Sequence, residues 1–112
     1  MLGSRGGIVS CEVCSRFPCQ IRSPQELKRS LRKASELVDS EKLEYLGKGY
    51  WGDRFAKIRH GGSWGDFVTN FFRCTHCTQL FHLHAETYHG SGGAFEAIDK
   101  IEKNEKFEPE NP

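Results

Sequence analysis

The first candidates for chemistry are two C-x-x-C pairs, Cys11/Cys14 and Cys74/Cys77, in a chain with five cysteines. A C-x-x-C turn places two thiolates about one tetrahedral edge apart and lets backbone amides donate hydrogen bonds to the sulfurs. Two such turns complete a four-sulfur zinc site. The odd number of cysteines argues against a closed disulfide framework. The spacing therefore predicts that these four residues bind one zinc ion.

Alternatives for the thiols remain open. A redox-active C-x-x-C of the thioredoxin type, or buried structural thiols, would use the same residues without a metal. Cys19 is close enough in sequence to replace a ligand of the N-terminal pair, and His76, inside the second pair, is a competing donor. A closed four-sulfur site has no open position for catalysis. We therefore expect a structural zinc that holds the N-terminal part of the chain against its middle.

A second candidate site is the polar face of a predicted strand that carries His82, His84 and Glu86, with Tyr88 and His89 at its end. Alternate side chains of a strand point to the same side, so the first three can chelate a transition metal or supply an acid/base pair. No complete catalytic set is visible around them. The sequence therefore favours a hydrated or hydrogen-bonded sheet face over an active site.

A helix is predicted to begin after Ser23, a typical N-cap, with Pro24 at the first helical position and Glu26 closing a capping box. The helix is expected to end near Asp39 and Ser40. Its apolar stripe comprises Leu27, Leu31, Ala34 and Val38. A basic run off the stripe comprises Lys28, Arg29, Arg32 and Lys33, and we interpret it as a solvated outer face.

The remaining patterns predict short strands at residues 43–46 and 71–73, and a second helix over residues 94–106. Together they indicate an α+β fold, in which a short antiparallel sheet with a zinc-knuckle hairpin packs against two helices. Residues 1–106 would form one zinc-stabilised domain, and residues 107–112 a frayed acidic tail.

Composition limits the function. The chain has 112 residues, 37% hydrophobic and 28% charged, which suits one domain with a modest core. A net charge of +1 gives no reason to expect a dedicated nucleic-acid or anionic-membrane binder. Apolar runs are too short to span a bilayer, and we find no signal-peptide pattern, so a cytoplasmic location is expected.

An aromatic and basic segment follows the first predicted strand and contains Trp51-Gly52-Asp53, which returns as Trp64-Gly65-Asp66. Aromatic side chains between basic ones can stack on single-stranded bases. In a small domain, however, such side chains more often form the core. We therefore favour a core role, and keep a zinc-ribbon nucleic-acid binder as an alternative function.

Several of these motifs resemble small bacterial zinc-ribbon-like proteins that act as immunity partners of polymorphic and contact-dependent toxins. The resemblance rests on L-E-Y-L-G-K-G at residues 43–49, the second W-G-D, the Cys74/Cys77 hairpin and the E-T-Y-H-G-S-G-G run at residues 86–93. It implies a cytoplasmic protein, folded around zinc or an ion-free C-x-x-C hairpin, that blocks the active site of one cognate toxin. It carries no catalytic residue.

The leading functional hypothesis is therefore a non-enzymatic protein-binding module with a structural zinc, which inhibits a toxin. Its candidate partner surface consists of the aromatic residues Trp51 and Trp64 and the acidic residues Glu96, Asp99, Glu102 and Glu105. Acidic side chains would complement the basic active site of an RNA-cutting toxin. A third hypothesis is a small metal-dependent hydrolase or nuclease, which would use His82, His84 and Glu86 with a second metal.

Overall fold

A computed structural model describes residues 11–61, 63–87, 92–102 and 106–110. Within these residues the strands are β1 (Cys19–Ile21), β2 (Leu43–Lys48), β3 (Phe67–Cys74), β4 (Leu80–Glu86), β5 (Gly92–Ile98) and β6 (Glu108–Pro109). These six strands form one antiparallel sheet in the order β1-β5-β4-β3-β2-β6. The helices are α1 (Pro24–Asp39) and the single turn α2 (Phe55–Ile58). The mixed helix and sheet architecture that was predicted is confirmed in outline.

Helix α1 begins and ends where the sequence predicts. The Ser23 side chain accepts a hydrogen bond from the Glu26 amide, which is the first half of the predicted capping box. The Glu26 side chain accepts its reciprocal bond from the amide of Arg22, the residue before the N-cap, and not from that of Ser23. Leu27, Leu31 and Ala34 of the predicted stripe are buried, and Val38 is half-buried. The helix therefore covers one face of the sheet, called here the core face.

The core face is built from alternate residues of the central strands. In β4, Phe81, Leu83 and Ala85 are buried, as the period-two pattern predicts. Phe72 of β3 and Phe95 of β5 flank them in the same layer. The opposite side of the sheet, called here the outer face, carries the intervening residues of these strands, among them both strand histidines.

The predicted second helix over residues 94–106 is wrong. Residues 92–98 form β5, which pairs with β4 on one side and β1 on the other. The apolar residues there also fit a period of two, because Phe95 and Ala97 turn to the core face while Glu96 points away. The short helix α2, which buries Phe55 and Ile58 within the aromatic segment, was not predicted.

Residues 107–110 of the predicted frayed tail instead pack against the sheet. Glu108–Pro109 pairs with β2, and the Phe107 ring lies edge-on to Phe71 with centroids 5.5 Å apart. The Tyr45 hydroxyl donates a hydrogen bond of 2.6 Å to Glu110. These contacts hold the segment against the sheet edge. The segment can approach this closely because Gly47 has no side chain. A Cβ there would come within 2.8 Å of the Phe107 ring.

Close strand contact at Gly93 leads to a testable prediction. A Cβ at Gly93 would lie 1.9 Å from the backbone carbonyl oxygen of His84, and backbone cannot move aside as a flexible side chain can. Gly93→Ala should therefore lower the free energy of unfolding by about 3 kcal/mol in guanidinium denaturation. Gly65→Ala, whose Cβ meets only the Asp53 carboxylate at 3.3 Å, is the matched control and should change it by less than about 1 kcal/mol. Equal losses in both variants would contradict the packing argument.

Candidate metal centre and binding groove

The four cysteines of the two C-x-x-C pairs come together at one end of the sheet. Sγ–Sγ distances are 3.7 Å between Cys11 and Cys14, 3.8 Å between Cys11 and Cys74, and 3.6 Å between Cys14 and Cys77. All four sulfurs lie within 4.8 Å of one another. In the part of the chain that the structure describes, this is the one His, Cys, Asp or Glu cluster compact enough to hold a metal ion.

These distances fit a tetrahedral four-sulfur site. With a zinc–sulfur bond of about 2.3 Å, the edge of a regular tetrahedron of ligands is about 3.8 Å. These three sulfur–sulfur distances lie within 0.2 Å of this edge. The cluster can therefore accept a thiolate-binding metal ion without a large rearrangement.

Two different parts of the fold supply the ligands. Cys11 and Cys14 lie in a tight turn, closed by hydrogen bonds from the Ser15 amide to the Cys11 carbonyl and from the Phe17 amide to the Cys14 carbonyl. Phe17 anchors this turn because its ring packs on Phe81 in the core, with centroids 5.8 Å apart.

The other pair lies where β3 turns into β4. The Cys74 amide donates to the Gln79 carbonyl, and the Thr78 amide donates to the Cys74 carbonyl. The His76 amide donates to the Cys74 sulfur at 3.4 Å. A metal bound here would connect residues 11–14 to this hairpin across 59 intervening residues, 15–73.

Thiol acidity differs across the cluster. Partial burial favours the neutral form of Cys11, but hydrogen bonds from the Cys14 backbone and the Cys77 side chain outweigh it and lower the Cys11 pKa to about 6. Burial raises the pKa of Cys14 to about 12 and also raises that of Cys74. A thiolate raises the pKa of the thiols next to it. All four thiols can therefore be deprotonated together when a bound cation offsets their negative charge.

The two alternative ligands are not part of the cluster. The Cys19 sulfur lies 3.3 Å from the Ser30 hydroxyl, between β1 and α1. The His76 side chain is exposed. All five cysteines are free thiols, so no disulfide competes with a metal site.

The histidines of β4 lie on the outer face as predicted and line one groove with Glu86, but among the described residues the three do not group closely enough to hold a metal ion. His82 Nε2 lies 2.8 Å from the Thr69 hydroxyl, and His84 Nε2 lies 2.5 Å from a carboxylate oxygen of Glu96 on the neighbouring strand. The His82 ring also stacks on Phe71, with centroids 4.2 Å apart. Each strand histidine therefore has its own hydrogen-bond partner on a neighbouring strand. Tyr88 and His89 lie outside the described residues.

Stability should fall in acid because of His82. Burial, with a smaller contribution from nearby His84, lowers the pKa of His82 to about 3 from its ordinary 6.5. The unfolded chain therefore takes up a proton on this histidine at a higher pH than the folded chain does. The contribution of neutral His82 to the free energy of unfolding is fully present above pH 6.5 and is lost as the pH falls from there toward 3. His82→Gln should flatten this pH dependence by up to about 1.4 kcal/mol per pH unit, measured by chemical denaturation at several pH values. An unchanged slope would show that His82 is not kept neutral by the fold.

A groove on the outer face carries the most prominent exposed apolar surface. The large hydrophobic side chains that are exposed, among the described residues, are Tyr50 (49%), Trp51 (74%) and Phe67 (44%), and all three line this groove. Thr69, His82 and His84 also line it. The Tyr50 and Trp51 rings pack edge to face, with centroids 4.8 Å apart. We call this groove, together with its three exposed aromatic residues, the aromatic groove.

The residues of the predicted partner surface do not all lie together in the structure. Trp51 belongs to the aromatic groove, whereas Trp64 is half-buried and packs against the core. Glu96, Asp99 and Glu102 are exposed, and Glu96 is beside the groove through its contact with His84. Glu105 lies outside the described residues. Sequence analysis did not single out Tyr50 or Phe67, because exposure of an aromatic side chain depends on which strand face it occupies.

The nucleic-acid alternative would use an interleaved surface of Trp51, Arg54, Phe55, Lys57, Arg59 and Trp64, and the structure exposes only part of it. Phe55 is fully buried, Lys57 pairs with Asp53 at 3.3 Å, and Arg59 pairs with Asp39 on α1 at 2.5 Å. The segment instead contributes to the core and to local ion pairs. The first Asp of the W-G-D echo accepts a hydrogen bond of 2.6 Å from the amide of Gly65, which joins the two copies.

Comparisons with protein-family models, curated proteins and solved structures gave no match. None of the described helices is long and apolar enough to cross a membrane.

Proposed function

We propose that the chain is a non-enzymatic protein-binding module, stabilised by a structural zinc ion, that neutralises a bacterial toxin in the cytoplasm. The observation that carries the binding role is the convergence of Tyr50, Trp51 and Phe67 on one groove. Aromatic side chains exposed together are typical of protein-binding hot spots, because they bury a large area with few rotatable bonds.

Zinc would be held by Cys11, Cys14, Cys74 and Cys77. Four thiolates suit zinc in a reducing compartment, and such a closed site stabilises a fold without activating water. The protein supplies two preformed turns and the buried environment of Cys14 and Cys74. The ion would therefore compensate for a small core by holding residues 11–17 onto the β3–β4 hairpin.

Charge next to the aromatic groove is mixed, because Lys106 Nζ lies 5.3 Å from the centroid of the Tyr50 ring, and the acidic part supports a basic partner. Glu96 is exposed beside His84, and Asp99 and Glu102 follow it in the same region of the chain. His82 stays neutral at physiological pH and adds no positive charge. A toxin that cleaves nucleic acid has a positively charged active site, which such a surface complements. The resemblance to toxin-immunity proteins agrees with this partner class.

The binding proposal can be tested with a photo-crosslinking amino acid placed at Trp51 and, as a control, at the exposed Lys42 in living cells. We expect one protein to be captured at position 51 and not at position 42. Its purified form should bind the wild type, and Trp51→Ala should weaken that binding at least about tenfold. Equal capture at both positions, or unchanged affinity of the variant, would disprove a role for the groove.

The toxin-neutralising role needs a separate measurement. Expression of the captured partner alone should stop growth, and co-expression of the wild-type chain should restore it. Trp51→Ala should restore growth less well at equal protein levels. A captured partner that is harmless when expressed alone would refute immunity while leaving the binding surface intact.

A further inference from the structure

The solvent side of α1 carries a cluster of four cations: Lys28, Arg29, Arg32 and Lys33. They occupy successive turns at i, i+1, i+4 and i+5, so they share one side of the helix. The buried residues of α1 face the other way, onto the core face of the sheet. We call these four residues the basic face. They line a shallow groove of about 340 Å³ together with Gln25 and Glu36.

The charges of the basic face have no acidic partner among the described residues. The six described ion pairs use five other Lys or Arg residues and one histidine. Glu36 lies in the same groove but is not within ion-pair distance of any of the four cations. Asp39, the last residue of α1, is paired with Arg59 instead. The local charge is therefore strongly positive although the whole chain is nearly neutral.

Hydrogen bonds to backbone carbonyls hold Arg32 and Lys33 in place without neutralising them, and Lys28 passes close to Gly61. Lys33 Nζ donates to the carbonyl oxygens of Arg16 and Phe17, both at 3.0 Å. Arg32 Nε donates to the His60 carbonyl at 3.3 Å. Lys28 crosses Gly61 so closely that a Cβ on this glycine would lie 2.6 Å from Lys28 Cγ. Such anchoring lowers the entropy lost when the cations bind an anion.

We propose that the basic face binds the phosphate backbone of nucleic acid. Closely spaced Lys and Arg side chains, fixed on one rigid helix, suit a repeating phosphate chain and require no base contact. A membrane-surface helix would also expose large apolar side chains along its rim. Among the described residues, the exposed aromatic side chains lie instead at the aromatic groove, on the outer face of the sheet.

This surface is separate from the one used in the proposed function. The helix covers the core face, whereas Trp51, Phe67 and the strand histidines belong to the outer face. Both surfaces can therefore be occupied at once, with nucleic acid on one side of the sheet and a protein on the other. Variants of the basic face should leave the partner captured at Trp51 unaffected.

The test is fluorescence anisotropy with a labelled single-stranded RNA of about 20 nucleotides and a DNA duplex of similar length, from about 50 mM to 200 mM salt. Wild-type protein should bind at low salt and weaken steeply as salt rises. Lys28→Glu/Arg29→Glu should lower affinity at least tenfold and reduce the slope of log affinity against log salt by about 1 to 2. Lys42→Glu/Lys100→Glu, which changes net charge equally at exposed lysines elsewhere, should lower it less than about threefold.

Competitors identify the source of the anion. Unlabelled RNA should displace the probe, whereas equal charge concentrations of inorganic phosphate, polyglutamate or phosphatidylserine vesicles should not. Displacement by any of these three at an equal level would overturn the proposal in favour of general anion, acidic-protein or membrane binding. No binding of the wild type at low salt, or equal losses in the two double variants, would also overturn it. Circular dichroism confirms that each variant is folded.

Discussion

Cys14→Ser is expected to remove stoichiometric metal from the protein and to lower its free energy of unfolding by on the order of 5 kcal/mol or more. Cys14 is fully buried, and its sulfur lies 3.6 to 3.7 Å from those of Cys11 and Cys77. Serine offers a weak ligand there and leaves a buried polar group. The measurement combines metal analysis with guanidinium denaturation, and limited proteolysis should show cleavage first around residues 11–17.

Cys19→Ser is the matched control for this prediction. Its sulfur lies outside the cluster, beside Ser30, so the variant should retain its metal and lose less than about 1 kcal/mol. Adding a strong chelator to the wild type should reproduce the behaviour of Cys14→Ser. If Cys14→Ser keeps one tightly bound metal, or if Cys19→Ser loses it, the ligand set is wrong.

Phe72→Ala is expected to lower the free energy of unfolding by about 3 to 5 kcal/mol. Phe72 is fully buried at the centre of the sheet. Its ring lies 5.1 Å from that of Phe55, 5.4 Å from Tyr45 and 5.8 Å from Phe95, measured between centroids. Truncation would leave a cavity between strands and α2 that rigid neighbouring rings cannot fill.

Phe67→Ala on the same strand serves as the control for Phe72→Ala. Phe67 is 44% exposed, and its removal should change the free energy of unfolding by less than about 1 kcal/mol. Its affinity for the partner captured at Trp51 should nevertheless be lower than that of the wild type, because Phe67 lines the aromatic groove. Equal destabilisation by both substitutions would mean that Phe72 is not a central core residue.

Local spacing predicted the parts of this protein that depend on local chemistry. The C-x-x-C pairs identified the cysteine cluster, and Ser23, Pro24 and Glu26 identified the start of α1. Alternation in β4 separated the buried Phe81 from the polar histidines. In each case the role of a residue depends on residues close to it in the sequence.

Features that depend on long-range pairing could not be predicted in this way. Residues 94–98 suit a helix by spacing, but their pairing with β4 and β1 decides for a strand. The pairing of Glu108–Pro109 with β2 likewise joins segments about 60 residues apart. The aromatic groove assembles Trp51 with Phe67 and with β4, and no short motif contains all three.

X-ray absorption spectroscopy together with elemental analysis, on protein purified without added metal, is the sharpest test of the four-cysteine zinc site. One zinc ion per chain is expected, with four sulfur neighbours at about 2.3 Å and no nitrogen or oxygen neighbour at shorter distance. A chain without metal, or a zinc ion with histidine or oxygen in its first shell, would contradict a closed site formed by Cys11, Cys14, Cys74 and Cys77.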